Sequence, residues 1–293
     1  MRILGQKLIV AWSWICTLLL VGALAVILGF LLYKSMPVFD LHLVFGDTHP
    51  LKALLLQRPV FNGLLPAIVG TLMLVLTAIA LALPMGLCTG IYLSEYAKGR
   101  LKRTLSLLFD ILAGIPSIVV GLFGFTLAVF LHHYISNRIF PCLFISALSL
   151  AFLVLPYLIR STQTALEGIE SRERITAPSL GATKLQNICY VLVPRALDGI
   201  VSGIILSIGR CAEDTAVIML TGAVASAGHP GGLLSPYEAL PFYVYYISSQ
   251  YADAQELLNG YGAAIILLAL CLFLFGTSAL IEKLLAARLH GHV

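Results

Sequence analysis

Charged side chains are scarce in this sequence, and their scarcity limits the class of protein. Asp, Glu, Lys and Arg make up 11% of the 293 residues, whereas a soluble domain carries about 25%. Hydrophobic residues make up 59%, and they fall into runs that approach the roughly 20 apolar residues a bilayer-spanning helix needs. The composition therefore excludes an ordinary soluble domain and predicts an all-α, polytopic membrane helix bundle.

Motifs of several catalytic classes are also absent. The sequence has no Gly-x-x-x-x-Gly-Lys-Ser/Thr phosphate loop, and the nearest string, Gly181 to Lys184, lacks both the spacing and the glycines. Neither a His-Glu-x-x-His nor a Gly-x-Ser-x-Gly motif occurs. We therefore expect that this chain is not an enzyme, does not hydrolyse ATP itself and holds no cofactor.

The six cysteines are isolated from one another. No pair has the Cys-x-x-Cys spacing of metal or redox sites. The sequence therefore predicts small buried hydrophobic residues rather than disulfides or a metal site. These residues are Cys16, Cys88, Cys142, Cys189, Cys211 and Cys271.

Apolar runs predict about six transmembrane helices. The first run, from Ile9 to Tyr33, exceeds the 7–15-residue core of a signal peptide and is interpreted as a retained helix. Between the later spans lie a charged segment, 160–198, and a segment rich in Gly, Pro and Tyr, 224–261. The predicted spans are 9–33, 64–93, 105–131, 140–159, 199–223 and 262–282.

Basic residues are distributed unevenly between the two sides of the predicted bundle. With the N-terminus inside, the cytoplasmic segments carry 13 Lys and Arg residues. The outside segments carry four, Lys34, Lys52, Arg58 and Arg138. Cytoplasmic segments of membrane proteins are enriched in Lys and Arg. The bias therefore predicts a multi-pass membrane protein with both termini in the cytoplasm.

A charged cluster interrupts the fifth predicted span. Arg210 lies roughly 17 Å into that span, near the middle of a hydrocarbon core about 30 Å thick. Glu213 and Asp214 follow at i+3 and i+4, which predicts that both carboxylates share the helix face of the guanidinium. One interpretation is a buried ion pair that fixes helix packing. The other is an anion site in a transport path, where Arg210 donates hydrogen bonds to an oxyanion.

The charged segment 160–198 has the pattern of short helices joined by a turn. Gly181 stands between two predicted helices, and Pro194 follows 13 residues later. Glycine and proline at such positions are typical of a sharp change in chain direction. The pattern suits a cytoplasmic elbow that presses against another protein.

The elbow resembles the coupling loop of binding-protein-dependent ABC importer permeases. That loop reads Glu-Ala-Ala, three residues, Gly, nine residues, Ile-x-Leu-Pro, and its later positions match this sequence in register. Ile175 and Thr176 stand where the family has Glu and the first Ala, so the opening of the motif departs from the pattern. The resemblance implies an ATPase-coupling loop with the residues Ala177, Leu180, Gly181, Ala182, Val191 and Pro194.

Three further stretches narrow the resemblance to the permeases of bacterial phosphate ABC importers, and among these to one of the two sister permeases. They are 66–72, 90–97 and 114–122. The run from Arg210 to Thr215 is similar to the intramembrane Arg-x-x-Glu segment that this family uses for phosphate passage. The resemblance therefore implies a substrate pathway with the residues Arg210, Glu213, Asp214 and Thr215.

The resemblance also implies a location in a bacterial plasma (inner) membrane, an architecture and partners. The chain, 1–293, would form one transmembrane permease domain of the type I ABC importer kind. Residues 1–60 would supply the first helix and an outer loop, 60–285 the permease core and 160–198 the coupling loop. The implied partners are a sister permease, two ATP-binding subunits that hold ATP and Mg²⁺, an external phosphate-binding protein and membrane lipid, with no nucleic acid.

Other transport functions stay open at this point. Sulfate and molybdate permeases share the coupling loop, so the transported oxyanion rests on the remaining stretches alone. An ion-coupled secondary transporter could use Glu213 and Asp214 as a proton relay, although such folds often show internal repeats and none is visible here.

Overall fold

The computed structural model describes residues 2–46, 63–135, 140–228 and 230–290. Within these ranges the chain is almost entirely helical, and the only β-type pairing is an isolated parallel bridge between Ala223 and Tyr237. The all-α prediction is therefore confirmed. The helices are α1 (Arg2–Ser35), α2 (Leu41–Phe45), α3 (Leu65–Ile91), α4 (Gly99–Ala113), α5 (Ser117–Tyr134), α6 (Leu143–Glu167), α7 (Ser171–Ser179), α8 (Lys184–Asn187), α9 (Val193–Arg195), α10 (Leu197–Glu213), α11 (Thr215–Thr221), α12 (Leu240–Gln250) and α13 (Ala254–His290).

Five helices of the described chain are long and apolar enough to cross a membrane. They are α1, α3, α5, α6 and α13. A sixth span forms if the bent pair Lys184–Arg195 and Leu197–Glu213, which meets at 68°, counts as one. The prediction of about six spans is confirmed.

The centre of the bundle is the packing of α3 against α6, the most extensive helix pair in the structure. Small residues recur every four positions along the buried face of α3, at Ala78, Ala82, Gly86 and Gly90. A Cβ added at Gly90 would lie 2.6 Å from the Cβ of Thr162, and one at Gly86 would lie 2.7 Å from the Cβ of Leu158. The two backbones therefore approach closely, because small residues leave room for them.

The third predicted span, 105–131, is wrong at its start. The chain forms α4 up to Ala113, turns through Gly114–Pro116 and begins α5 at Ser117. Pro116 has an extended backbone (ψ 137°) at the start of α5, where a proline ring is compatible with the first helical turn. None of the α4 side chains is fully buried.

The fourth and fifth predicted spans also have different limits. The fourth, predicted as 140–159, continues as α6 to Glu167, so the first part of the predicted elbow is still helix. The fifth, predicted as 199–223, is broken at Asp214 into α10 and α11. Residues 171–195 form the remaining elbow, and the end of the bundle where they lie is called the elbow end.

The segment 224–261 is more ordered than its composition predicts. Residues 240–250 form α12, which packs on α13 and on α3. A small core joins these helices to the residues after α1, with Val38, Leu43, Leu64, Ala67, Leu240 and Ala263 buried together. The aromatic side chains of α12 are thus carried by a helix that is packed into the fold.

Both described ends of the chain point toward the elbow end. Phe30, near the end of α1, makes an edge-to-face contact with Tyr261, near the start of α13, with ring centroids 5.8 Å apart. Because this contact joins the end of one helix to the start of the other, α1 and α13 run antiparallel. Gly209 of α10 lies against Phe275 in the second half of α13. Three of the basic residues that were predicted on the external side of the membrane, Lys52, Arg58 and Arg138, are not among the described residues.

The cysteine prediction holds in part. All six thiols are free, and Cys142 and Cys211 are buried as expected. Cys16, Cys88 and Cys189 are exposed on the outer surface of the chain, so the expectation of burial is wrong for them. Cys16 and Cys88 lie on membrane-spanning helices, where an apolar residue can face outward because lipid replaces the protein core as its surroundings.

Candidate functional site

Arg210 and Glu213 form an ion pair on the last turn of α10. The Nη1 of Arg210 donates to the Oε1 of Glu213 at 3.1 Å. The side chains are 39% and 62% exposed, so the pair lies on an open face of the chain and not inside its core. The prediction that these two residues share one helix face is confirmed. Arg210 stands 13 residues after Leu197, roughly 20 Å along the helix from the elbow end.

Asp214 departs from the expected geometry. It was expected on the same helix face as Arg210, but α10 ends at Glu213 and Asp214 has an extended backbone (φ −76°, ψ 104°). Its Oδ1 accepts a hydrogen bond from the backbone N–H of Val217 at 2.9 Å. The same-face prediction is therefore wrong for this residue. An aspartate offers the backbone a local acceptor and so favours a helix start over a helix interior.

The break places the four predicted pathway residues in two different settings. Arg210 and Glu213 are on the exposed end of α10, whereas Asp214 is 6% exposed and Thr215 is half-buried as the first residue of α11. The two acidic side chains therefore do different things. Glu213 holds the guanidinium, and Asp214 holds the backbone of the next helix. Their role in a substrate pathway stays a prediction.

Most of the hydrogen-bonding capacity of Arg210 is unused by the described chain. A guanidinium carries five N–H donors, and here Nη1 alone has a partner. The Nε of Arg210 is buried and has no hydrogen-bond partner among the described residues. A buried donor without a partner costs free energy, so such an atom in a folded protein calls for a ligand, water or a partner chain.

Arg160, on the neighbouring helix α6, provides a direct contrast. Its Nε donates to the Oδ1 of Asp110 at 2.7 Å, its Nη1 to the Oε1 of Gln163 at 3.0 Å and its Nη2 to the backbone oxygen of Ser106 at 3.1 Å. Every nitrogen of this guanidinium is engaged, and the carboxylate of Asp110 neutralises it. Arg160 therefore fastens α4 to α6, whereas Arg210 keeps donors available.

The predicted elbow is confirmed as two short helical arms joined by a turn at Gly181. Gly181 has a φ of +89°, a conformation that side chains with a Cβ rarely adopt. The turn closes on the carbonyl of Ala177, which accepts from the N–H of Leu180 at 3.0 Å and from that of Ala182 at 3.1 Å. The second arm begins with a capping box, in which Thr183 and Gln186 bond to each other's backbone N–H.

The elbow presents apolar side chains outward at its tip and holds its base in a small core. Leu180 is 86% exposed, and Leu185 and Tyr190 are also exposed. At the base, Ile188 and Leu192 are buried against α6 and α10. Val191 lies in the wide helical turn 188–192 and Pro194 lies in α9, and both are half-buried on this second arm. Exposed apolar groups on a polar segment are typical of a protein-binding surface.

At the opposite end of the bundle the chain holds a buried carboxylate that sequence reasoning missed. The Oε1 of Glu238 accepts hydrogen bonds from the backbone N–H groups of Ala227 at 2.9 Å and Gly228 at 2.7 Å. Burial raises the pKa of the Glu238 carboxyl, and the two backbone N–H groups oppose that rise. Glu238 lines a cavity of about 660 Å³ together with Asp40, Tyr243 and Glu256. No local motif marks this site, because its backbone donors lie ten and eleven residues away.

A second group that the sequence did not reveal is the contact between the elbow and the end of α3. It joins Glu95 to Arg174 and Lys184 across 79 and 89 residues of sequence. Only the basic character of the two cations was visible in the sequence, as part of the charge bias.

Comparison with known families supports the resemblance. Residues 82–288 match the family model described as the binding-protein-dependent transport system inner membrane component. This range contains the whole elbow and the Arg210 segment.

Individual relatives extend the match. The chain is 38% identical over 176 residues to the phosphate transport system permease protein PstA 1 of Mycobacterium tuberculosis (strain CDC 1551 / Oshkosh), an alignment that covers 60% of this chain. The chain spans about half the length of that relative, 56%. It is 31% identical over 257 residues to the phosphate transport system permease protein PstA of Xylella fastidiosa, covering 86% of this chain and 84% of the relative.

The fold has counterparts among solved structures. One is a chain of the MetNI methionine ABC transporter in an inward-facing conformation, with a TM-score of 0.56 and 18% identity, over 81% of this chain and 99% of that one. At this identity the likeness concerns the fold alone, which is that of an ABC importer permease. With the family model covering most of the chain, and with a relative above 30% identity matched along most of its length, the chain belongs to the family of binding-protein-dependent transport system inner membrane components.

Proposed function

We propose that this chain is a transmembrane permease subunit of an ATP-driven importer, and that it moves inorganic phosphate into the cytoplasm by alternating access. Two relatives, aligned with 60% and 86% of this chain, are named as phosphate transport system permease proteins. The alternatives of another oxyanion or of ion-coupled transport have no observation in their favour.

The observation that carries the proposal is the state of Arg210. Its guanidinium is half-exposed, is held in place by Glu213 and has unpaired donors. A planar fork of donors can bind two oxygens of a phosphate at once. Phosphate loses its hydration in an apolar path, and a fixed guanidinium offsets part of that loss. Arg210 would therefore bind the passing anion, and Glu213 would orient the guanidinium between passages.

In this proposal the elbow couples transport to ATP hydrolysis by partner subunits. An ATP-binding subunit would seat on the exposed tip around Leu180, and its closure on ATP would displace the two arms. ATP and Mg²⁺ would be held by two such partner subunits, since this chain has no phosphate-loop motif. A sister permease would complete the pathway opposite α10, and an external phosphate-binding protein would deliver the anion.

The direction of import requires the elbow to be cytoplasmic. The bias of 13 basic residues against four supports this orientation. Both described ends of the chain, in α1 and α13, point toward the elbow end, which agrees with a cytoplasmic location of both termini.

The test is phosphate uptake by the complete complex in proteoliposomes. Arg210→Gln should abolish ATP-driven uptake of labelled phosphate while the complex still assembles. Arg103→Gln removes an equal charge from the exposed face of α4 and should leave uptake unchanged. Phosphate uptake at the wild-type rate by the Arg210→Gln complex would contradict the assignment. Excess sulfate or molybdate should not compete with phosphate for uptake. Strong competition by either anion would indicate that this anion, and not phosphate, is the substrate.

A further inference from the structure

Glu95 lies at the elbow end of the second span and is enclosed by the elbow. It belongs to a wide π-helical turn, Tyr92–Tyr96, that follows α3. Its Oε1 accepts hydrogen bonds from the Nη1 of Arg174 at 2.7 Å and from the Oγ of Ser94 at 2.8 Å. The Glu95 side chain is 10% exposed and that of Arg174 is 24% exposed. No ion pair within the described ranges is less exposed.

Arg174 connects three helix ends at one point. Besides the ion pair with Glu95, its guanidinium donates to the backbone oxygens of Leu166, in the last turn of α6, and of Ile169, two residues beyond the end of α6. The C-terminal end of a helix carries a partial negative charge, which attracts a cation. The backbone oxygen of Arg174 accepts from the Nδ2 of Asn187 at 3.0 Å, which draws in the second arm.

The second arm is tied to the same residue by a different cation. The Nζ of Lys184 donates to the backbone oxygen of Glu95 at 2.5 Å and lies 4.1 Å from the ring centroid of Tyr96. Arg174 belongs to α7 and Lys184 is the first residue of α8, so the two ties enclose the exposed turn at Gly181. Each arm of the elbow therefore has its own charged link to the end of α3.

We infer that Glu95 is the positioning residue through which the elbow moves the second span, so that a push on the elbow tip is transmitted to α3 and α6 together. This inference rests on the proposed function, because it takes an ATP-driven push as its input. The exposed turn itself has no atom within 4 Å of a Cβ placed at Gly181, so the tip is not braced against the bundle. Force applied at the tip reaches the spans through the base of the elbow, where Glu95 meets both arms.

The chemistry of the link explains why a charge is needed there. A charge-assisted hydrogen bond is roughly twice as strong as a neutral one, and Arg174 needs a carboxylate to compensate its partial burial. Gln at position 95 keeps an acceptor oxygen of similar shape but removes the charge. Glu95→Gln should therefore loosen the link without leaving a cavity.

The experiment measures phosphate imported per ATP hydrolysed by the complete complex in proteoliposomes. Glu95→Gln should lower this ratio by about tenfold, the factor that corresponds to losing one favourable charged contact, while ATP hydrolysis continues. Glu167→Gln is the matched control, because Glu167 also makes a 2.7 Å ion pair, with Lys102, that does not involve the elbow. The control should keep the wild-type ratio. Glu95→Asp, which keeps the negative charge, should retain more of the coupling than Glu95→Gln, which a merely structural defect would not predict.

The outcomes separate this inference from the function on which it rests. If Glu95→Gln lowers the yield of complex, Lys184→Met tests the same anchor, because Lys184 is exposed and its removal buries no charge. A wild-type ratio in both Glu95→Gln and Lys184→Met would overturn the inference. A wild-type complex that hydrolyses ATP without importing phosphate would instead overturn the proposed function.

Discussion

The cap at Asp214 leads to a quantitative prediction about the break in the fifth span. Replacing an N-cap aspartate with alanine costs about 0.5–2 kcal/mol. At this position the residue is buried and its partner, the N–H of Val217, belongs to a buried residue. An unsatisfied buried donor adds to the loss, so we expect Asp214→Ala to cost about 2 kcal/mol, a change of roughly 30-fold in the unfolding equilibrium.

Asn provides the matched control, because its side-chain oxygen caps helices as well as that of Asp. Asp214→Asn should therefore keep nearly the stability of the wild type. The assay is unfolding of the purified protein in detergent with increasing denaturant, followed by helical circular dichroism. If Asn proves as destabilising as Ala, the negative charge and not the cap would be what the fold requires, and the reasoning from the Val217 hydrogen bond would be refuted.

Three further predictions concern other parts of the molecule. Gly181→Leu should uncouple ATP hydrolysis from uptake, since a φ of +89° costs about 1–3 kcal/mol for a residue with a Cβ; Gly181→Asn, which tolerates this conformation better, should retain more uptake, and equal uptake by both would contradict the argument. The raised pKa of Glu238 means that the folded protein binds a proton at this carboxyl more tightly than the unfolded chain does. The stabilisation that this proton gives to the folded protein is therefore complete below about pH 4.5, and it is lost as the pH rises through the higher folded pKa. Glu238→Gln should flatten this part of a plot of melting temperature against pH, and an unchanged slope would show that Glu238 is not its source. A cysteine at Ser235 should react with an impermeant reagent added outside intact cells and one at Lys184 should not, whereas the reverse pattern would invert the proposed orientation.

The parts of the fold that the sequence predicts are those encoded by neighbouring residues. The existence of the spans follows from continuous apolar runs, and the Arg210–Glu213 pair follows from a spacing of three within one helix. The turn at Gly181 is also local, because glycine supplies the positive φ that two abutting helical arms need.

The parts that were missed depend on competition between local signals or on distant contacts. Hydrophobicity continues across Gly114–Pro116 and across Asp214, so a pattern of apolar residues shows one span where backbone geometry makes two helices. At Asp214 the spacing suggested a helix face, but the side chain prefers to cap a backbone N–H. The Glu95–Arg174 contact joins residues 79 positions apart, and a single sequence contains no signal that pairs them.

The position of α1 has a consequence for how the protein enters the membrane. None of the most apolar stretch of α1 is buried within the chain, whereas 67% of that of α6 is. Its main contact is with α13, so a helix that is synthesised early docks against one that is synthesised late. During synthesis α1 must therefore remain in lipid as an independent helix until α13 has been inserted. Its uninterrupted apolar surface is compatible with lipid contact on all sides. The closing of α1 onto the bundle is thus a late step in the assembly of this permease, although α1 precedes every other described span in the chain.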